Sequence, residues 1–95
     1  MGRVDGKIAL ITGAGMGLGL ATATLLAREG ARLVLTDIHP GHLEKAVENL
    51  RAAGAEVRGI VHDTSSPEDW ARVEADVRAT EGRLDILVNN AGIAP

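Results

Sequence analysis

Four short apolar runs, separated by three stretches of helical spacing, set the tightest limit on what this chain can fold into. Ile8-Ala9-Leu10-Ile11 is continuously apolar, as a strand covered on both faces must be. Leu33-Val34-Leu35 repeats that pattern. Val57 to Val61 is a weaker run, broken by Arg58 and Gly59, and Asp85-Ile86-Leu87-Val88 is the fourth. Between them the apolar residues recur at helical intervals. Leu18, Ala21, Leu25 and Leu26 would form the buried face of a first helix stopping near Gly30. Leu43, Ala46, Val47 and Leu50 would do so in a second, with Gly54 as its stop.

The third helix announces its own start. In Ser66-Pro67-Glu68-Asp69 the serine can cap free N–H groups and proline suits the first helical position. The acids then favour the positive end of the helix. Trp70, Val73 and Val77 would be its buried face, with Gly82 beyond its end. Strands alternating with helices in this way read as linked βαβ units, an α/β fold on a parallel sheet with right-handed crossovers. The 95 residues are read as one domain, residues 1–95, with no linker and no internal repeat beyond the alternation. Apolar content comes from Ala, Leu, Val and Ile, with Trp70 the only aromatic residue, which suits thin layers of helix on sheet.

Several function classes fall away on composition. The formal charge is −3 and both signs are spread along the chain, so no nucleic-acid surface is expected. The sequence has no cysteine, which excludes disulfides, thiolate metal sites and a cysteine nucleophile. The start, Met1 to Lys7, is too polar for a signal peptide, and no apolar stretch approaches a membrane span. The expectation is a cytoplasmic protein that binds no membrane. His39 and His42 could share one face of a helix start, but no third ligand lies in sequence reach, so they are read as surface histidines. His62 is read as a strand-end residue without a chemical role, and Trp70 as packing rather than a stacking platform.

Chemistry enters at Thr12-Gly13-Ala14-Gly15-Met16-Gly17-Leu18-Gly19, where the first strand gives way to the first helix. Gly13 would allow the tight turn out of the strand, and Gly17 would let the backbone approach a pyrophosphate. Gly19 would let the helix pack closely on the sheet. The helix N-terminus beyond then offers N–H groups and partial positive charge to phosphates. A flexible turn in a chain with twelve glycines is the plain alternative.

The spacing TGxxxGxG is similar to the glycine loop of the short-chain dehydrogenase/reductase family, and the resemblance continues in order along the chain. Asp37 closes the second strand, Asp63-Thr64 the third, and Asn89-Asn90-Ala91-Gly92 the fourth. The resemblance implies a Rossmann-type doubly wound sheet, here truncated, with strand order 3-2-1-4. It implies NAD as cofactor, bound by Gly13, Met16, Gly17, Leu18, Gly19, Asp37, Asp63, Thr64, Asn90, Ala91 and Gly92. Asp37, eighteen residues after Gly19, would accept hydrogen bonds from the adenosine ribose hydroxyls and repel a 2′-phosphate. NADP-preferring relatives usually carry a basic residue where this chain has Met16 or Ile38. Asp63 would accept from the adenine amino group, with the Thr64 backbone beside it. Asp63-Thr64-Ser65 would serve equally as the turn leading to the cap at Ser66. Asn89 would tie strands together, while Asn90, Ala91 and Gly92 would line the nicotinamide side.

The family's reaction is hydride transfer between nicotinamide C4 and a ketone or secondary alcohol. It implies a Tyr as general acid/base, a Lys four residues on and a Ser that orients the carbonyl. The chain contains no tyrosine, and neither Lys7 nor Lys45 belongs to a YxxxK pattern. No catalytic residue carries over. The expectation is the nucleotide-binding portion of an oxidoreductase, inactive alone, with a stand-alone non-catalytic NAD-binding module or inactive fragment as the alternative. A methyltransferase also pairs a glycine loop with an acid at the second strand, but TGxxxGxG and NNAG argue against it. Strand order 3-2-1-4 would leave the apolar fourth strand at an edge, so self-association along that edge is expected.

Overall fold

The structure, a computed structural model, describes residues 3–90. Strand β1 (Ile8–Ile11) leads into helix α1 (Gly17–Arg28), followed by β2 (Arg32–Asp37), α2 (Pro40–Ala52), β3 (Val57–Val61), α3 (Pro67–Thr80) and β4 (Ile86–Val88). All pairings are parallel and the strand order is β3-β2-β1-β4, a Rossmann-type arrangement. The register sets Leu10 beside Val34 on one side and Leu87 on the other.

The strands' period of two splits the core into two layers. Ala9, Ile11, Leu33 and Leu35 face the helices α1 and α2, meeting Ala23, Leu43, Ala46, Val47 and Leu50. Ile8, Leu10, Val34 and Ile60 face α3 and meet Val73 and Val77, with Trp70 and Leu84 packed at the margin. Each fully buried Leu, Ile or Val contributes about 1.5–3 kcal/mol relative to exposure, so β1 and β2 anchor the molecule.

Helices α2 and α3 bury the faces their spacing predicts; α1 does not. Gly19 and Ala23 are its buried residues, with Leu20, Leu26 and Ala27 partly covered. Leu18 and Leu25 are 66% and 60% exposed, and Ala21 is exposed as well. Only Leu26 of the expected face packs inward. The cause is steric. A Cβ at Gly19 would overlap the carbonyl oxygen of Gly13 and lie 2.8 Å from Asn90 Nδ2. Close approach of α1 therefore requires small residues toward the sheet, and that rotates the leucines away from it.

The polar residues that interrupt the strand pattern have partners. Arg58 forms a two-pronged ion pair with Glu81, at 2.7 and 2.8 Å, and reaches Asp76 at 2.8 Å. These bonds raise the guanidinium pKa further, Glu81 foremost, and clip the outer strand β3 to the end of α3. Asp85 accepts from the amide of Ile8 at 2.9 Å and from Arg83 at 2.9 Å. The Ile8 amide, then Arg83, hold its carboxyl below the usual range, and the contacts lock β4 to β1. Ser66 caps α3, accepting from the amide of Asp69 at 3.2 Å. Among the described residues no helix is long and apolar enough to cross a membrane.

Candidate functional site

At the C-terminal end of the strands, the ends of β2 and β3 and the glycine loop enclose a cleft of about 390 Å³. Its lining is Gly13, Asp37, Ile38, His62, Asp63, Thr64 and Ser65. Parallel sheets place ligands in this position because the loops beyond the strand ends diverge there.

The glycine loop is built on backbone geometry that side chains resist. Gly13 has φ +61° and Gly17 φ +63°, both in the left-handed region. Nothing lies within 4 Å of where a Cβ at Gly17 would sit, so the loop faces open space there. The residue before α1, Met16, gives no side-chain cap, and the first turn carries no acid. The leading amides of α1 thus have no carboxylate or hydroxyl from their own helix start, as suits a phosphate-binding terminus. Met16, Gly17 and Leu18 are exposed at this start, while Gly19 is buried beneath Gly13.

Asp37 is 8% exposed and couples two elements. Oδ2 accepts from the amide of Gly15 at 2.9 Å, and Oδ1 accepts from the amide of His39 at 2.9 Å. The amide of Ala14 donates to the carbonyl of Thr36 at 3.0 Å, drawing the loop onto β2. Each carboxylate oxygen has a second lone pair, so these bonds leave Asp37 able to accept from hydroxyl groups in the cleft. The spacing of the loop assigns no role to Gly15, and the structure gives it one. A Cβ there would lie 2.7 Å from Asp37 Oδ2 and 2.8 Å from the His42 Cβ. Its only sequence signal is a fourth glycine in the loop, beyond the three of TGxxxGxG.

On the β3 side, Asp63 Oδ1 accepts from the amide and the hydroxyl of Ser65, at 3.0 and 2.6 Å. These bonds, the hydroxyl first, hold the Asp63 carboxyl below the usual carboxylate range. The turn leading to Ser66 and the wall of the cleft are therefore made by the same residues. His62 follows the last residue of β3, at the strand end as expected. It is 1% exposed, with Nδ1 3.0 Å from Thr36 Oγ1 and its ring against Trp70. Burial pushes its pKa below the ordinary value, and the charge of Asp69 opposes that only in part.

The hydroxyl of Thr12 links β1 to the end of β4. It donates to Asn89 Oδ1 at 3.0 Å and accepts from the amide of Asn90 at 2.9 Å. Asn90 Nδ2 reaches the carbonyl of Gly13 at 3.4 Å, so the asparagine pair abuts the glycine loop. Ala91 and Gly92 lie outside the described residues. His39 and His42 are exposed beside the cleft, ring centroids 5.3 Å apart. The fit to a dinucleotide is good on the chain's own terms, with an open glycine cradle, an uncapped helix start and a buried acid at the cleft.

Residues 7–95 match the family described as short chain dehydrogenase. The chain belongs to that family. It is 42% identical over 93 residues to the cyclopentanol dehydrogenase of Comamonas testosteroni, covering 98% of this chain and 37% of that enzyme. The crystal structure of a short-chain dehydrogenase/reductase from Burkholderia phymatum in complex with NAD superposes with a TM-score of 0.86 at 41% identity. That match covers 92% of this chain and 31% of the other. A metagenomic short-chain oxidoreductase in complex with NADP gives a TM-score of 0.89 at 39% identity, over 95% of this chain and 41% of that one. This short-chain dehydrogenase chain thus spans little more than a third of the length of the curated relatives it matches. The two solved neighbours carry different dinucleotides, so family membership alone leaves the choice to local residues.

Proposed function

We propose that this chain is the NAD(H)-holding portion of an oxidoreductase that interconverts a secondary alcohol and a ketone. The observation that carries the reading is Asp37. A buried acid bonded to the glycine loop and lining the cleft favours ribose hydroxyls and repels a 2′-phosphate. Met16 and Ile38, exposed and uncharged, offer no counter-charge. The cyclopentanol dehydrogenase relative and the NAD-bound neighbour support the same reading.

When bound, the cofactor supplies a carbon that accepts or gives a hydride. The chain's part is to hold it. In this reading the glycine loop and the α1 start take the pyrophosphate, and Asp37 takes the adenosine ribose. Asp63 and the Thr64 backbone take the adenine, and Asn90, Ala91 and Gly92 border the nicotinamide side. The family resemblance assigns proton transfer to a tyrosine, and the 95 residues contain none. The same residues would serve a second reading equally, a nucleotide-binding module without catalysis. Both readings place it in the cytoplasm.

Calorimetric titration with NAD⁺ and NADP⁺, on the chain and on Asp37→Ala, tests the proposal. Saturable NAD⁺ binding, weaker with NADP⁺, and a preference lost in Asp37→Ala are expected. Tighter binding of NADP⁺ by the unaltered chain would overturn the choice of nucleotide. A folded chain that binds neither would overturn the reading for these residues alone.

A further inference from the structure

The chain has one tryptophan and neither tyrosine nor phenylalanine, and that single large ring stands behind the cleft wall, bonded to Thr64. Trp70 lies in the first turn of α3, above Val73 and Val77, at the margin of the core layer that faces α3. Its indole N–H donates to the carbonyl oxygen of Thr64 at 2.9 Å. Its ring meets the imidazole of His62 edge-to-face, centroids 4.5 Å apart at 86°. His62 in turn sits at hydrogen-bond distance from Thr36, one residue before Asp37.

Residues 63–65 supply much of the cleft wall on the β3 side, and they belong to no strand or helix themselves. What holds them comes from α3. The amide of Asp63 donates to Asp69 Oδ2 at 2.6 Å, and the indole N–H of Trp70 donates to the carbonyl of Thr64. Asp69 is itself steadied by Arg72 at 2.7 Å. Two consecutive residues of the first turn of α3 therefore hold two consecutive residues of the wall, Asp63 by its amide and Thr64 by its carbonyl. Simple core packing accounts for the ring of Trp70 but not for its N–H, which is spent on the turn.

We propose that Trp70, backed by His62, is a positioning residue for the base-recognition wall of the cleft. It sets where the Thr64 backbone and the Asp63 carboxylate stand, without touching the ligand. The inference rests on the nucleotide-binding reading above and deepens it. Adenine selectivity, in this arrangement, depends on the first turn of α3. Losing one hydrogen bond that holds a recognition loop weakens binding by about five- to tenfold.

The test compares AMP with IMP, which share ribose and phosphate and differ at the base position that carries the adenine amino group. Both are titrated into the unaltered chain, Trp70→Phe, and the chain bearing the isosteric benzothiophene analogue of tryptophan at position 70. The analogue keeps the ring volume and removes only the N–H donor, so it decides the matter should Trp70→Phe fail to fold. The expected result is a loss of AMP affinity of about five- to tenfold with a smaller loss for IMP, in a variant that unfolds near the parent's midpoint. Unchanged affinities, or equal losses for AMP and IMP, would overturn the proposal, because a merely structural ring does not change selectivity. No binding of AMP by the unaltered chain would sink the nucleotide reading itself, and this proposal with it.

Discussion

The amide of Gly15 donates to Oδ2 of Asp37 across twenty-two residues of sequence, joining the glycine loop and the acid of β2 into one unit. A methyl group at position 15 would sit 2.7 Å from that oxygen and 2.8 Å from the Cβ of His42. Gly15→Ala is therefore expected to displace the carboxylate and cost about 1–3 kcal/mol of stability, read by urea denaturation. The same variant should lose most of the discrimination between NAD⁺ and NADP⁺ in calorimetry. A variant that keeps both stability and discrimination would show that Asp37 holds its place without the loop.

Gly17 and Gly19 are expected to separate binding from folding. At Gly17 an added methyl enters open space, and the penalty is the positive φ alone, about 1–2 kcal/mol. Gly17→Ala should fold but bind dinucleotide poorly, because the methyl would stand where the proposed reading brings the phosphates. At Gly19 the methyl meets the Gly13 carbonyl, which is backbone and has little room to yield. Gly19→Ala should cost about 3 kcal/mol or more, seen as a large fall in the denaturation midpoint. Equal stabilities for the two variants would contradict the packing described for α1.

The order of elements was legible in the sequence because buried strands and amphipathic helices leave opposite periodic marks, whereas the strand order followed only from the family resemblance. Helices α2 and α3 obey that logic at Leu43, Ala46, Val47, Leu50, Val73 and Val77. Helix α1 breaks it because periodicity weighs large apolar residues, whereas close packing on the sheet selects Gly19 and Ala23. At the site, Asp37, Asp63 and Thr64 were legible as strand-end residues, and all three line the cleft. What no spacing revealed were the links made by backbone groups, Gly15 to Asp37 and Trp70 to Thr64. A hydrogen bond to a peptide group leaves no side-chain signature, so its partners cannot be paired by residue type.

His62 predicts a pH dependence. Burial lowers its folded pKa below the unfolded value near ~6.5, so the unfolded chain binds the extra proton first. Stability is then fully present above that unfolded value and is lost as pH falls from about 6.5 toward the lowered folded pKa. The charged groups acting on the ring are Asp69 and Asp63, which raise its pKa, and Arg72, which lowers it. Asp63, Asp69 and Asp85 have lowered pKa values too, but their contributions are lost only as pH falls below the ordinary carboxylate range. Urea denaturation between pH 8 and pH 5 should show the loss, and His62→Asn should flatten it. An unchanged slope in His62→Asn would assign the dependence elsewhere.

Strand β4 predicts how the chain behaves in solution. It stands at the edge of the sheet, and among the described residues its strand pairing is to β1 alone. Leu87 at its centre is 52% exposed, and Ile86 and Val88 are half-covered. An apolar strand with one open row of N–H and C=O groups pairs readily with another, and a second copy of the same edge is the nearest partner at hand. Self-association that grows with concentration is expected in sedimentation velocity. Leu87→Lys should shift the population toward monomer while leaving the fold intact, since a charge on an exposed edge costs little in the monomer and opposes its own copy in a dimer. A parent chain that stays monomeric at every concentration tested would remove the edge as an interface, and Leu87 would then be an ordinary exposed residue.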